Sequence, residues 1–372
     1  MRILIAPDKF KHSLSAEQVC EIIAKRLKQK SKNIEIELLP LADGGEGSAK
    51  LIANQQNAKK IDIEVHDPLS RIIEAHYFIS NQTAFIEMAV ASGLQLLKAE
   101  EQNVKKTNTY GTGELILDAI KRGSKHIILC IGGSATSEGG VGMASAIGFK
   151  FFDHFGHEFI PSAENLDNIK SIAKPENDLL EGIQFDVLTD VNNPLMGENG
   201  AVFQYALQKG ASPEELQQLD KGMHHLHALI LKQFNFDIDT KAGAGAAGGL
   251  GGGATFFLNA HLHSGIDYIA ELTQLDEKVK WADLIITGEG KLDEQSFKGK
   301  VVSGVQKSCK KFNKECLLLV GYNALSEIEN LPVVYSLTEI AGNQNEAIKN
   351  PQEYLKRAVD LMIKEQDLFN EK

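Results

Sequence analysis

The sequence predicts an α/β protein of two domains, in which a Rossmann-like parallel α/β/α domain is interrupted by a second domain of mixed α/β type. Apolar runs alternate with helical periodicity at both ends of the chain, whereas strand-like alternation follows residue 61. The 372 residues also exceed what one hydrophobic core usually serves. We expect residues 1–61 and 281–372 to form the first domain and residues 62–280 to form the inserted one.

The N-terminal segment has the strand-helix alternation of a parallel sheet. Residues 2–6 (RILIA) are a short, β-branched apolar run, which is typical of a buried strand. Ser15 and Gln18 form a capping-box pattern ahead of apolar residues at helical spacing, and this predicts a helix over residues 16–29. The next strand and helix are predicted over residues 34–41 and 48–57. Such alternation favours parallel strands with right-handed crossovers.

The pattern changes in the inserted segment. Residues 61–79 and 83–88 alternate like antiparallel strands, with turns at residues 67–71 and 81–82. A helix, a strand, a helix and a strand are then predicted at residues 113–122, 126–131, 141–147 and 185–189. The strand-helix alternation resumes with the apolar run at residues 282–287, a helix at 301–311, strands at 316–320 and 333–337, and a final helix after residue 351.

Composition excludes several classes of protein. The formal net charge of −11 argues against binding to a nucleic-acid backbone. No apolar run approaches the ~18 residues of a membrane span, and the short N-terminal run is too brief for a signal peptide, so we expect a cytoplasmic protein. The cysteines lack CxxC spacing, which predicts reduced core residues at Cys20, Cys130, Cys309 and Cys316.

Five segments are rich in glycine or in acidic and hydroxyl residues, and most of them follow an apolar run that predicts a strand. In an open α/β sheet, ligands bind beyond the carboxyl ends of the strands. Glycine lets the backbone approach a ligand, and helix N-termini favour anions, so the segments suit phosphate. We expect them to meet in a cleft between the two domains; they are residues 7–15, 41–48, 132–142, 242–253 and 287–300.

Two nucleotide-binding patterns can be weighed directly. The P-loop pattern GxxxxGK[ST] does not occur in the sequence. Residues 243–248 (GAGAAG) match the dinucleotide pattern GxGxxG, and Asp267 lies about 20 residues further on. The preceding residues are a poor strand, however, so close packing of small residues remains an alternative to any phosphate role, and NAD binding is the weaker interpretation.

Four aspartates lie near the ends of predicted strands, and carboxylates repel phosphate unless Mg²⁺ bridges them or they accept a proton. Asp8, Asp43, Asp190 and Asp293 therefore suggest metal-dependent phosphoryl transfer, although helix capping is the alternative for any single one.

Histidines raise the separate question of transition-metal binding, at residues 223–227 (MHHLH) and at His261 and His263. The first group should fan around a helix rather than converge, because helical neighbours are three or four residues apart, so a structural role is the favoured interpretation.

A series of distinctive segments occurs in order along nearly the whole chain: IAPDKFKHSLSA, PLADGGEGS, YGTGELILDAI, GGSATSEGGVGMASAIGFKF, DVNNPL, QKGA, GAGAAGGLGGG and ADLIITGEGKLDEQSFKGKVVSGV. In these segments, their order and their spacing, the chain resembles the bacterial type I glycerate kinases. The resemblance implies a two-domain α/β fold and phosphorylation of D-glycerate by ATP with Mg²⁺, typically at the 2-hydroxyl. The chain departs from the usual pattern at Lys9, His12, Ser137, Glu138 and Lys241, and it lacks a proline before QKGA. These changes concern substrate preference and nucleotide affinity rather than the class of reaction.

The resemblance also implies roles for individual residues. Asp190 would accept the hydroxyl proton, and Lys11 would help to hold the glycerate carboxylate or the phosphates as a second catalytic residue. Asp293 is the preferred carboxylate beside the metal, followed by Asp43. Residues expected to bind the substrate are Asp8, Lys9, Ser13, Asp43, Gly44 and Glu46. Residues expected to bind ATP are Gly132, Gly133, Ser134, Gly243, Gly245, Gly288, Gly290 and Lys300.

Two other functions remain open on the sequence alone. One is a non-catalytic sensor that binds a hydroxy acid or a nucleotide, and the other is an NAD-dependent dehydrogenase. Asp190, Asp293 and Lys300 favour the kinase, because a protein that only binds ligand needs no carboxylates beside a metal. The expected partners are small molecules, D-glycerate and ATP, with neither nucleic acid nor membrane, and a homodimer is left open.

Overall fold

The computed structural model describes residues 1–11, 13–176, 179–297, 299–325 and 332–369, so His12 lies outside the described residues. It confirms the predicted α/β class, with one parallel and one mixed principal sheet. The chain folds into two compact units: the first is Met1–Asp43 with Gly265–Lys372, and the second is Gly44–Ser264. None of the helices in the described ranges is both long and apolar enough to cross a membrane.

The elements are numbered in chain order. The strands are β1 (Arg2–Ile5), β2 (Glu35–Leu38), β3 (Lys59–His66), β4 (Ile72–Ser80), β5 (Thr83–Glu87), β6 (His126–Cys130), β7 (Lys150–Phe152), β8 (Glu158–Phe159), β9 (Ser171–Ala173), β10 (Gln184–Thr189), β11 (His261–Ser264), β12 (Leu284–Thr287), β13 (Lys291–Leu292), β14 (Glu315–Val320), β15 (Tyr322–Asn323) and β16 (Val334–Ser336). The α-helices are α1 (Ala16–Lys30), α2 (Ser48–Gln55), α3 (Ala89–Ser92), α4 (Tyr110–Lys121), α5 (Val141–Ala146), α6 (Ala201–Tyr205), α7 (Leu216–Phe234), α8 (Leu250–Phe257), α9 (Gly265–Leu272), α10 (Leu275–Trp281), α11 (Val301–Lys311), α12 (Leu337–Ala341), α13 (Gln344–Lys349) and α14 (Pro351–Glu365). Short 3-10 helices lie at Leu94–Leu96, Ala99–Glu101, Ala163–Asn168, Leu207–Lys209, Pro213–Glu215 and Glu294–Phe297.

The first unit contains a five-stranded sheet in the order β16-β14-β12-β1-β2, in which every neighbouring pair is parallel. Ser15 caps α1 as predicted: its hydroxyl accepts from the amide of Gln18, whose side chain accepts from the amide of Ser15. Apolar side chains of α1 and α14, such as Ile23 and Val359, pack in one core with Ile3 and Ile5 of β1. The strand-helix alternation read from both chain ends thus builds one layered unit.

The second unit contains a six-stranded sheet in the order β11-β10-β6-β5-β4-β3. The expected antiparallel strands are confirmed, because β3 pairs with β4 and β4 with β5 in antiparallel register, while β5, β6, β10 and β11 pair in parallel. The hydrophobic core includes Ile116 of α4, Met143 of α5 and Val187 of β10. The remaining described strands form two small sheets, β8-β7-β9 in the second unit and β13-β15 in the first.

The units divide after Asp43 and after Ser264, whereas the sequence analysis placed the boundaries at residues 61 and 281. Helix α2 packs on β4, β5 and β6, and therefore belongs to the second unit. Helices α9 and α10 pack against each other and against α11, and therefore belong to the first. The strand-like alternation that marks the insertion begins only after α2, which explains why sequence periodicity places the first boundary later.

Helix α4 begins at Tyr110, three residues before the predicted start, because two glycines hide its first turn from an apolar periodicity. A Cβ on Gly111 would lie 1.9 Å from the carbonyl oxygen of His66, and one on Gly113 would lie 2.5 Å from that of Met143. The glycines therefore let α4 approach the neighbouring backbone closely.

Candidate active site

The predicted site residues are divided between the two units. Those in the first unit are Asp8, Lys9, Lys11, Ser13, Asp43, Gly288, Gly290, Asp293 and Lys300. Those in the second unit are Gly44, Glu46, Gly132, Gly133, Ser134, Asp190, Gly243 and Gly245.

In the first unit, an acidic cluster forms from the segments that follow β1, β2 and β12. It consists of Asp8, Asp43, Glu289 and Asp293. Asp8 is buried, and its Oδ1 atom accepts a hydrogen bond of 2.6 Å from the amide of Lys9. Burial raises the pKa of Asp8 well above its ordinary value, and the charges of Asp43 and Glu289 act in the same direction. This carboxyl group thus favours a proton or a cation beside it.

Glu289 is the member of the acidic cluster that the sequence analysis did not single out. Burial raises its pKa to about 7, and the charges of Asp43 and Asp293 add to this, while Ser296 and Lys300 counteract it. The Oε1 atom is buried and has no hydrogen-bond partner among the residues that the structure describes. Glu289 could have been identified from its position two residues beyond β12, because it lies in a segment that was expected to bind ligand.

Asp293 behaves differently from its neighbours in the cluster. Burial acts to raise its pKa, but Lys291, with its Nζ 3.1 Å from Oδ2, and Lys300 outweigh burial and hold the pKa below its ordinary value. Its Oδ1 atom also accepts from the amide of Gln295 at 3.0 Å, which is the capping role considered as the alternative. The ionised carboxylate of Asp293 therefore acts on Glu289, a group that retains its proton more strongly.

The backbones of two of the predicted ligand-binding segments, residues 7–15 and 287–300, lie against each other. A Cβ on Gly290 would be 2.9 Å from the amide nitrogen of Lys11, and one on Gly288 would be 1.7 Å from the carbonyl oxygen of Leu319. Lys11 is exposed, whereas the hydroxyl of Ser13 donates to the carbonyl of Phe10 at 3.0 Å. The two glycines are thus required by close packing. Lys300 immediately precedes α11 in an extended conformation.

In the second unit, Asp190 follows the last residue of strand β10 and is half-buried. The pKa of Tyr205 is raised mainly by burial and also by the negative charge of Asp190, so the two side chains are close enough to interact electrostatically. The hydroxyl of Tyr205 donates to Oδ1 of Asn193 at 2.6 Å. Asp190 is therefore held at the carboxyl end of a parallel strand, as expected for a residue that meets a ligand.

A buried lysine stabilises the loop that follows β6. The Nζ atom of Lys209 donates to the hydroxyl of Ser134 at 2.6 Å and to the carbonyl of Thr136 at 2.7 Å. Burial lowers the pKa of Lys209 to about 7, against the opposite effect of Glu138. Glu138 is itself buried, which raises its pKa, and it accepts from the hydroxyl of Thr109 at 2.6 Å. The sequence analysis missed Lys209 as a contact of Ser134, since 75 residues separate them.

Close backbone packing accounts for several glycines of the second unit. A Cβ on Gly132 would lie 2.5 Å from the Cα of Gly45, and one on Gly245 would lie 2.0 Å from the carbonyl oxygen of Pro194. Gly243 has a φ of +90°, a left-handed conformation that favours glycine. Gly133 has a φ of +81° and is exposed.

Other contacts join these segments. The amide of Gly47 donates to both carboxylate oxygens of Glu87 at 2.9 Å, next to the exposed Glu46. The amide of Gly44 donates to the hydroxyl of Ser48 at 3.1 Å, and the amide of Gly139 donates to the carbonyl of Gly248 at 3.0 Å. The segments at residues 44–48, 132–142 and 242–253 are therefore neighbours within the second unit. The GxGxxG segment precedes α8 without a strand directly before it, unlike a dinucleotide fingerprint.

Comparisons with known proteins find relatives that match nearly the whole chain. Residues 3–365 match the model of the glycerate kinase family. A glycerate kinase from Bacillus cereus is 40% identical to this chain, over 95% of this chain and 94% of its own length. A glycerate 2-kinase from Escherichia coli is 38% identical over 96% of each chain. A crystal structure assigned to glycerate kinase 2 from Salmonella typhimurium is similar with a TM-score of 0.82 and 34% identity, covering 99% of both chains.

Proposed function

Since this chain belongs to the glycerate kinase family, we propose that it transfers the γ-phosphoryl group of ATP to the 2-hydroxyl group of D-glycerate, with Mg²⁺, to give 2-phosphoglycerate and ADP. The family and the named relatives establish the enzyme class; the position phosphorylated, the metal and the cytoplasmic location are part of the proposal. The name of the Escherichia coli relative, glycerate 2-kinase, supports the 2-hydroxyl as acceptor.

The reacting hydroxyl needs a proton acceptor, and we assign this role to Asp190. As the oxygen of the glycerate 2-hydroxyl forms its bond to the γ-phosphorus, its proton passes to the Asp190 carboxylate. The bond between the γ-phosphorus and the bridging oxygen breaks, and ADP leaves with the electron pair. Positioning and charge neutralisation dominate such transfers, so Asp190 also orients the hydroxyl. Its place at the carboxyl end of β10 supports this assignment.

Lys11 and Ser13 are proposed to hold the glycerate carboxylate or the phosphates. The substrate site is proposed to be lined by Lys9, Gly44 and Glu46.

We propose that ATP binds to the loop formed by Gly132, Gly133 and Ser134. The buried Lys209 holds Ser134 in place, which supports a preorganised loop. The remaining residues proposed to bind ATP are Gly243, Gly245, Gly288, Gly290 and Lys300.

The acidic cluster of the first unit suits a hard divalent cation. Asp43 and Asp293 would hold Mg²⁺, with Asp8 and Glu289 beside them. When bound, the ion neutralises charge on the transferred phosphoryl group. The raised pKa values of Asp8 and Glu289, together with the buried Oε1 atom of Glu289 that lacks a partner in the described part of the chain, support this fit. Buried carboxylates that retain protons are the groups that a cation would stabilise.

This acidic cluster is the observation that carries the metal-dependent proposal, and its test is direct. Purified protein should release ADP only when ATP, D-glycerate and Mg²⁺ are all present, and EDTA should abolish the release. Phosphorus NMR of the product should show 2-phosphoglycerate. Full activity in EDTA would exclude the metal, a 3-phosphoglycerate product would exclude the assigned hydroxyl, and glycerate binding without ADP release would favour the sensor.

Replacing Asp293 with asparagine should raise the Mg²⁺ concentration needed for half-maximal activity, because the variant removes an ionised carboxylate from the acidic cluster. Excess Mg²⁺ should restore part of the rate. The measurement is initial rate against Mg²⁺ concentration at saturating ATP and glycerate.

The matched control is Asp283→Asn, which makes the same change in charge. Asp283 immediately precedes β12, whereas the segment with Asp293 follows this strand. The Oδ1 atom of Asp283 lies 2.9 Å from a guanidinium nitrogen of Arg2. This control should leave the Mg²⁺ requirement unchanged. An unaltered Mg²⁺ requirement in Asp293→Asn, or an equal change in both variants, would mean that Asp293 does not support the metal.

A further inference from the structure

A second cluster of potential metal ligands lies on the six-stranded sheet, at Asp186 of β10, four residues before Asp190, and at two histidines of β11. Asp186 of β10 pairs with His261 of β11 in the parallel register, and His263 is two residues further along the same strand. Alternate residues on a strand point to the same face, so all three side chains share one face of the sheet. On the opposite face, Phe185 and Val187 enter the hydrophobic core.

The two oxygens of the Asp186 carboxylate have different neighbours. Oδ1 lies 2.8 Å from Nε2 of His263 and 3.8 Å from Nδ1 of His261. Oδ2 lies 2.6 Å from Nε2 of His126 and accepts from the side-chain amide of Gln184 at 3.0 Å. One oxygen is thus directed to the histidines of β11, while the other is held by groups that orient the carboxylate.

We propose that Asp186, His261 and His263 bind a transition-metal ion of the Zn²⁺ type, with His126 and Gln184 as the outer groups that orient the carboxylate. One ligand atom from each of the three residues lies within 4.8 Å of the others, and this is the only such set of three or more among the described residues. Tetrahedral Zn²⁺ with bonds of about 2.0–2.1 Å separates its ligand atoms by about 3.3 Å. The two distances from Oδ1, 2.8 Å and 3.8 Å, lie on either side of this value, and the ligand atoms of the two histidines lie within 4.8 Å of each other. Rotation of the imidazoles would close the remaining distances when the ion binds.

The donor set distinguishes this ion from the Mg²⁺ of the proposed reaction. Imidazole nitrogen suits Zn²⁺ and related ions, whereas Mg²⁺ prefers oxygen ligands and retains its water. The site also has a path for entry, because the side chain of His261 on the edge strand β11 is 72% exposed, while that of Asp186 is 5% exposed. Three protein ligands leave the fourth position of a tetrahedral ion open to water.

The test is calorimetric titration of Zn²⁺ into chelator-treated, full-length protein in millimolar Mg²⁺, with Co²⁺ absorption spectra as a second readout. We expect one ion per chain and a tetrahedral Co²⁺ spectrum. His261→Ala should weaken Zn²⁺ binding by about 100-fold or more, since even changes to outer groups commonly weaken metal binding by about 10- to 100-fold. Because the side chain of His261 is exposed, we expect this variant to fold as the unaltered protein does.

A matched control is His227→Ala, because His227 also contacts a carboxylate in the second unit, at 2.9 Å from Oδ1 of Asp237. It should bind Zn²⁺ as the unaltered protein does. The proposal is overturned if the unaltered protein binds no stoichiometric Zn²⁺, if Mg²⁺ displaces the ion, if His261→Ala and His263→Ala both retain the affinity, or if His227→Ala loses it equally. In those cases Asp186 and its histidines only stabilise the sheet by hydrogen bonds.

Discussion

Replacing Asp190 with asparagine should lower kcat by about 100-fold or more, with little change in the KM for ATP. The change keeps the volume of the side chain but removes the group that we propose accepts the hydroxyl proton. Because the proton moves only as the phosphoryl group is transferred, the loss should fall on kcat. The measurement is steady-state ADP release with each substrate varied in turn.

Two comparisons make this prediction specific. The control Asp153→Asn alters a half-buried aspartate of the second unit whose Oδ1 atom accepts a hydrogen bond from the nearby amide of Phe155 at 2.8 Å. This variant should keep the kcat of the unaltered protein. Excess Mg²⁺ should not rescue Asp190→Asn, in contrast to Asp293→Asn. If Mg²⁺ rescues the first variant and not the second, the two roles are reversed; near-normal rates in both variants would contradict both assignments.

Glu289→Gln should make the protein less sensitive to pH between about 5 and 8 in the absence of metal. The pKa of Glu289 is raised from an ordinary 4.5 to about 7, so the folded state binds more protons than the unfolded state in this range. Its contribution to the free energy of unfolding is therefore fully present below pH 4.5 and is lost as the pH rises through 7. By pH 8 the loss should be about 3 kcal/mol, at about 1.4 kcal/mol for each pKa unit.

The measurement is urea unfolding of both proteins in EDTA at pH 5, 6, 7 and 8. Asp8 has the same sign of pH dependence, and the charge of Glu289 helps to raise the pKa of Asp8. The variant therefore also weakens the pH dependence that comes from Asp8, which adds to the expected effect. Mg²⁺ at pH 8 should stabilise the unaltered protein more than the variant, because the proposed site would bind the ion only in the folded state, through carboxylates that include Glu289 beside it. The exposed Glu277 supplies the control, Glu277→Gln. Parallel pH profiles for Glu289→Gln and the unaltered protein would contradict the assigned pKa.

Local patterns in the chain were sufficient for its fold class and for most of its elements. The capping pattern of Ser15 and Gln18 specified the start of α1, and strand-like alternation specified the antiparallel pairs β3-β4 and β4-β5. These features depend on neighbours a few residues apart, so they can be read from sequence. The ordered glycine-containing segments likewise indicated the glycerate kinase family, which the comparisons confirmed. The roles of single residues within those segments remain predictions.

Interactions between distant segments, in contrast, were decided by the tertiary structure. Whether α2 belongs to one unit or the other depends on the sheet against which it packs. The pKa of Glu289 depends on burial and on Asp43, which is far away in sequence. Lys209 meets Ser134, and Asp186 meets His261, only because parallel strands and their loops bring remote segments together. Periodicity carries no information on such partners, since it records which face of an element is apolar but not what that face packs against.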